Sequence, residues 1–151
     1  MKIFEDNIIP YIGTDEFKLY SSYDAIKGML DKNEIIYSEE LWRAAEETVP
    51  NPWKVIIIPE TISLFFASNN KLFKIVFWAG YSGKLPNGIG TNSDMTDVMK
   101  LDPTIEYNDW DEIYESSEGY WIEDDIGTKS VLSITVFIKE IDNEDFDNCN
   151  W

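Results

Sequence analysis

The chain has 151 residues, 44% hydrophobic and 15% aromatic, and a formal net charge of −17 from 29 acidic and 12 basic side chains. That is the length of one domain with enough apolar surface to fold, set here at residues 1–151. A charge of this sign excludes autonomous nucleic-acid binding, the lack of histidine excludes His triads and His metal sites, and a lone cysteine, Cys149, excludes an internal disulfide or a four-cysteine zinc site.

The first residues turn acidic at Glu5-Asp6 before any long apolar run, which is not a signal-peptide pattern. The longest apolar stretches, Val55–Ile58 and Ile75–Gly80, are too short to span a bilayer, so the expected location is the cytoplasm with no membrane partner. Ser22 reads as an N-cap, followed by Tyr23, Ile26, Met29 and Leu30 at helical spacing, ending near Asp31–Asn33. Glu34–Tyr37 reads as a short strand. Ser38–Val49 fits a helix by propensity and equally fits a continued strand and turn, and Pro50-Asn51-Pro52 ends it either way. Trp53–Ile58 is a buried strand. Ile62–Ala67 and Leu72–Ala79 flank Ser68-Asn69-Asn70-Lys71 as a hairpin. Gly80–Asn92 is a connecting loop. Ser93 or Thr91 then caps a helix holding Met95, Val98, Met99 and Leu101, with Pro103 beyond it. Strands follow at Ile105–Asn108, Glu112–Ser116, Gly119–Asp124 and Ser130–Ile141, and 142–151 is a solvated tail expected to fray.

The second half repeats the first. Ser22–Asp31 matches Ser93–Asp102, Ile35-Ile36-Tyr37 matches Ile105-Glu106-Tyr107, Trp53–Ile56 matches Trp110–Ile113, and Leu72–Phe77 matches Leu132–Phe137. The offsets run 71, 70, 57 and 60, and an insertion near Ser38–Pro52 accounts for most of the change. The units are 13–80 and 81–141, each a helix followed by about four strands. In the last strand Leu132, Ile134, Val136 and Ile138 share one face, opposite Ser133, Thr135, Phe137 and Lys139. In the strand before it, Tyr120 and Ile122 oppose Trp121, Glu123 and Asp125. The expected fold is therefore α+β: an antiparallel sheet with helices on one face and the other face open.

Charge is concentrated late. Residues 101–151 carry 15 acids against 2 bases, and Glu106–Asp125 holds nine carboxylates with no Lys or Arg. Solvation explains such a run, and so does docking of a basic partner. The run also carries Tyr107, Trp110, Tyr114, Tyr120 and Trp121, a mixture suited to an interface and also common in strands. The partner-binding residues expected are Trp110, Glu112, Tyr114, Trp121, Glu123 and Asp125. No catalytic or metal-binding residue and no cofactor is assigned. Carboxylate pairs are unavoidable among so many acids, and the Gly80–Gly90 loop lacks the GxxxxGK[ST] spacing of a phosphate loop. Its glycines are expected to serve positive φ. Cys149 has no histidine to activate it.

Two lead-in-plus-helix pieces, Phe17-Lys-Leu-Tyr-Ser-Ser-Tyr-Asp-Ala-Ile-Lys27 and Ile89-Gly90-Thr-Asn-Ser-Asp-Met-Thr-Asp-Val-Met-Lys100, resemble the tandem units of the β-lactamase-inhibitor-protein/BamE-like fold over about residues 13–140. The first unit has Leu19 where the second has Gly90, and no lipobox cysteine follows the start, so a lipoprotein role is not implied. In overall character the small acidic chain resembles bacterial immunity proteins of contact-dependent and other polymorphic toxin systems. That resemblance implies a non-enzymatic cytoplasmic protein that binds and neutralises a cognate toxin, a basic nuclease domain being the expected partner. The alternatives are a generic protein-interaction or scaffold domain of the same fold and a carboxylate-dependent hydrolase.

Overall fold

Ser22 accepts a hydrogen bond from the Ala25 amide (3.1 Å) and so starts helix α1, Tyr23–Lys32, in the computed structural model, which describes residues 3–42 and 52–151. The helix ends in a left-handed turn at Glu34 (φ 57°), with Glu34 N–H donating to Asp31 and Ile35 N–H to Leu30. These two bonds commit Glu34 and Ile35 to the helix terminus. The strand read over Glu34–Tyr37 therefore begins later, as β1, Ser38–Trp42. Ser38–Trp42 resolves toward strand, while residues 43–51 lie outside the described residues.

Strands β2 (Trp53–Ile58), β3 (Ile62–Phe66) and β4 (Leu72–Phe77) follow as a meander, as read from the sequence. Helix α2, Met95–Leu101, is capped by Asp94, whose side chain accepts from Thr96 N–H (2.7 Å). Ser93 and Thr91 were the sequence candidates, but the Ser93 hydroxyl accepts from Gly90 N–H and the Thr91 hydroxyl donates to the Tyr81 carbonyl instead. Then come β5 (Glu106–Asn108), β6 (Ile113–Ser116), β7 (Tyr120–Asp125) and β8 (Ser130–Phe137). Among the described residues these make one unclosed antiparallel sheet of eight strands in the order β1-β2-β3-β4-β8-β7-β6-β5. The fold is α+β, arranged as two similar helix-plus-strands units.

The repetition extends to individual backbone bonds. Tyr23 N–H donates to Asn70 and Leu72 N–H to Ser21; in the second unit Met95 N–H donates to Lys129 and Val131 N–H to Ser93. Tyr20 and Asn92 share a φ of 71° before the two helices, and Asn70 and Lys129 share a positive φ before the two last strands. Both units also carry a bulge at the same place. Phe65 pairs with Lys74 but Phe66 with Leu72, leaving Phe73 unpaired; Glu123 pairs with Ser133 but Asp124 with Val131, leaving Leu132 unpaired. This alignment makes Asp94, not Ser93, the partner of Ser22, and Val131, not Leu132, the partner of Leu72. Trp110 is not a second Trp53: it sits in the β5–β6 turn, three residues before the start of β6 and outside any strand. Val76 and Thr135 are repeat equivalents and also direct register partners across β4–β8, so a pseudo-two-fold axis passes between them.

Side chains alternate across the sheet. Ile56, Leu64, Phe66, Ile75, Phe77, Ile134, Val136 and Ile122 bury against Ile26 and Leu30 of α1 and Val98 of α2. A seven-residue helix is too short to persist alone, so α2 is held by that packing. The bulge turns Leu132 away from this core, which corrects its expected grouping with Ile134 and Val136; Val131 takes the buried position. The last strand also ends earlier than expected, at Phe137, and a tight turn over Lys139–Asp142 follows.

The tail does not fray. Phe146 is buried against Phe73 (5.1 Å between ring centres) and stacks on Trp151 (5.3 Å). Lys71 Nζ donates to the backbone oxygen of Trp151 (3.2 Å), and the Tyr20 hydroxyl bonds Glu140. The polar composition of 142–151 concealed two aromatic anchors. The glycines of the 80–92 loop meet the expectation of positive φ only at Gly88. Gly88 has a positive φ (90°), whereas Gly83 is needed because a Cβ there would lie 1.9 Å from the Asp6 carbonyl oxygen.

Candidate functional site

The helix-free face of the second unit carries the acidic run. Glu106, Glu115, Trp121 and Thr135 are successive register partners on β5, β6, β7 and β8. Glu106 and Glu115 therefore stand directly opposite each other. Glu123, two residues beyond Trp121, lies on the same face beside Ile113, which alternates with Tyr114 on β6. Glu106 and Glu123 are exposed, and Trp121 and Glu115 are half-buried. Trp121 is held by Phe137, 4.4 Å between ring centres, and Phe137 by an edge contact with Tyr11. Among the described residues the single ion pair is Lys27–Glu39, in the first unit, so none of the carboxylates on this face is ion-paired with a described cation. The carboxylates spread along the face: among the described residues no group of three or more such side chains is arranged to hold a metal ion.

The expected site residues divide into three places. Trp121 and Glu123 lie together on the open face. Asp125 is at the end of β7 on that face, but its carboxylate accepts from Gly127 N–H (2.9 Å) and Thr128 N–H (3.3 Å) and closes the β7–β8 turn. Tyr114 points to the opposite, helix-bearing face, where it meets Tyr107 (4.8 Å). Burial and the charge of Asp124 push its hydroxyl pKa up. Trp110 and Glu112 occupy the β5–β6 turn, which Asn108 organises by accepting from Trp110 N–H and Asp111 N–H. Trp110 is 93% exposed, and Ile126, in the β7–β8 turn at the same end of the meander, is 87% exposed. The structure thus unites Trp121 with Glu123, adds Glu106 and Glu115, and places Trp110 at an adjoining tip. Glu106 and Glu115 were missed because their opposition depends on the β5–β6 register, which the sequence leaves free by one or two residues.

A second carboxylate centre is buried. Asp102, at the end of α2, accepts from the hydroxyls of Thr104 (2.6 Å), Ser116 (2.5 Å) and Tyr120 (2.5 Å) and from Thr104 N–H (3.0 Å). Burial raises its pKa, but the bonds from Ser116, Thr104 and Tyr120 outweigh that and hold it below the ordinary carboxylate value. Every one of its partners is a hydroxyl or amide within the second unit, so Asp102 ties α2 to β6 and β7. Its sequence signal is Asp-Pro-Thr, a turn in which the acid meets the amide two residues on.

The chain matches no protein-family model, no curated protein and no solved structure. Among the described residues no helix is long and apolar enough to cross a membrane.

Proposed function

We propose that this chain is a non-catalytic cytoplasmic protein that captures a basic protein partner on the open face and tip of its second unit. The observation that carries the reading is the direct opposition of Glu106 and Glu115, with Trp121 and Glu123 alongside and no ion pair to a described cation. Like charges opposed across a sheet cost stability. An arriving Lys or Arg relieves that cost only in the complex, so the arrangement favours binding over folding. The field of the face speeds encounter with a cationic surface. Trp121 and the projecting Trp110 supply the aromatic surface that hot spots require. The resemblance to immunity proteins adds the biological role: a toxin domain that holds phosphates through a basic surface would be masked by an acidic one.

The test is co-purification with the product of the adjacent gene, where that product carries a toxin domain. The E106Q/E115Q/E123Q variant should weaken the complex at low salt by about tenfold or more and flatten its salt dependence. A complex whose affinity and salt dependence survive this variant sinks the assignment of the face.

A further inference from the structure

The duplication lets one unit report on the other. Phe73 and Leu132 are equivalent bulge residues, both set on the helix-free face. Phe73 is 1% exposed because the chain beyond β8 crosses that face and lays Phe146 over it, within a cluster that includes Trp53 and Phe65. Leu132 is 36% exposed and has no such cover. The chain beyond β4, which occupies the corresponding place, turns to the opposite face, where Tyr81 packs on Phe77 (4.6 Å), and goes on to build α2. Beside Leu132 lies an open groove of about 760 Å³, walled by Ile57, Ser63 and Trp78, with Glu60 at its edge. The Trp78 indole N–H donates to Ser63 Oγ (3.1 Å), which fixes the ring as a wall.

The surroundings of the two bulges differ in one instructive respect. Trp53 and Phe65 flank Phe73; by the strand registers, Glu123 stands in the place of Phe65 and pairs with Ser133, next to Leu132. The first site is aromatic, with the Lys74 ammonium over the Phe65 ring (4.2 Å), and accepts an aromatic side chain from an acidic segment of its own chain. The second is apolar at its base and acidic at its border. We propose that the Leu132 groove receives one apolar side chain, flanked by Lys or Arg, from the basic partner, in the manner in which Phe146 covers Phe73. The proposal rests on the acidic-face reading and extends it: Glu106, Glu115 and Glu123 attract and orient, and the groove supplies the desolvated anchor.

The test uses the full chain, ¹⁵N-labelled, titrated with Lys-Lys-Phe-Lys-Lys, Lys-Lys-Ala-Lys-Lys and Glu-Glu-Phe-Glu-Glu peptides. The Phe-containing basic peptide should bind about tenfold more tightly than its Ala counterpart and shift the Trp78 indole N–H and Leu132 amide resonances. Leu132→Ser should abolish that advantage, and Leu132→Met should keep it. Equal binding of the two basic peptides, with shifts confined to β5–β7, would overturn the groove while leaving the acidic face standing. No binding by either basic peptide would overturn both. Equal binding of the acidic and basic Phe peptides would overturn the basic flank. Groove resonances that shift with protein concentration alone would assign the groove to a second copy of this chain. The comparison of peptides on the unaltered chain decides the matter even where a variant fails to fold.

Discussion

Glu106 and Glu115 face each other across β5 and β6 as direct register partners at the edge of the sheet. An edge strand lined with charge resists pairing with a second sheet, so the glutamates also protect β5 from edge-to-edge association. The opposition should be felt in stability. Glu106→Lys is expected to stabilise the isolated chain by about 0.5 kcal/mol, read as a raised thermal midpoint that shrinks at high salt, while weakening the partner complex. A lowered midpoint would contradict it.

Asp102 should behave as a structural acid. Its folded-state pKa lies below the ordinary carboxylate value. Its contribution is therefore fully present above about pH 4, the unfolded value, and is lost as pH falls through the folded one. Asp102→Ala leaves the Tyr120 and Ser116 hydroxyls without their acceptor and should cost about 3 kcal/mol near neutral pH. Denaturant unfolding at pH 7 and pH 3 checks this: the gap between wild type and variant should narrow at the lower pH.

The terminal segment should be integral to the first unit. Phe146→Ala uncovers Phe73 and removes the stacking partner of Trp151. It should cost about 3 kcal/mol and speed amide exchange in β2 and β4. Unchanged exchange at Phe73 would show that the tail contributes nothing there.

Glu34 occupies a left-handed position (φ 57°) at the end of α1. Glycine adopts that conformation without the Cβ conflict, so Glu34→Gly should raise stability by about 0.5 to 1 kcal/mol despite the extra freedom it gives the unfolded chain. Chemical denaturation with an unchanged m-value would check it.

Local pattern determined much of this architecture. Alternation at Tyr120–Glu123 separated Tyr120 and Ile122 from Trp121 and Glu123, the hairpin at Ser68–Lys71 divided β3 from β4, and Ser22 marked the start of α1. The excess of carboxylates over cations in residues 101–151 was equally plain, because charge is a property of composition. Tertiary structure alone decided the rest. The bulge that turns Leu132 outward is a mismatch between two strands, so neither strand's own alternation reveals it. The opposition of Glu106 and Glu115 depends on register, and the separation of Tyr114 from Trp121 depends on it as well. Phe146 and Trp151 looked solvated because polar neighbours surround them in sequence, yet Phe146 is received by Trp53 and Phe73, 93 and 73 residues earlier, and Trp151 stacks on Phe146. Side-chain direction within one strand is set by its own pleat; which partner meets it is set by long-range contacts whose closure no local segment encodes.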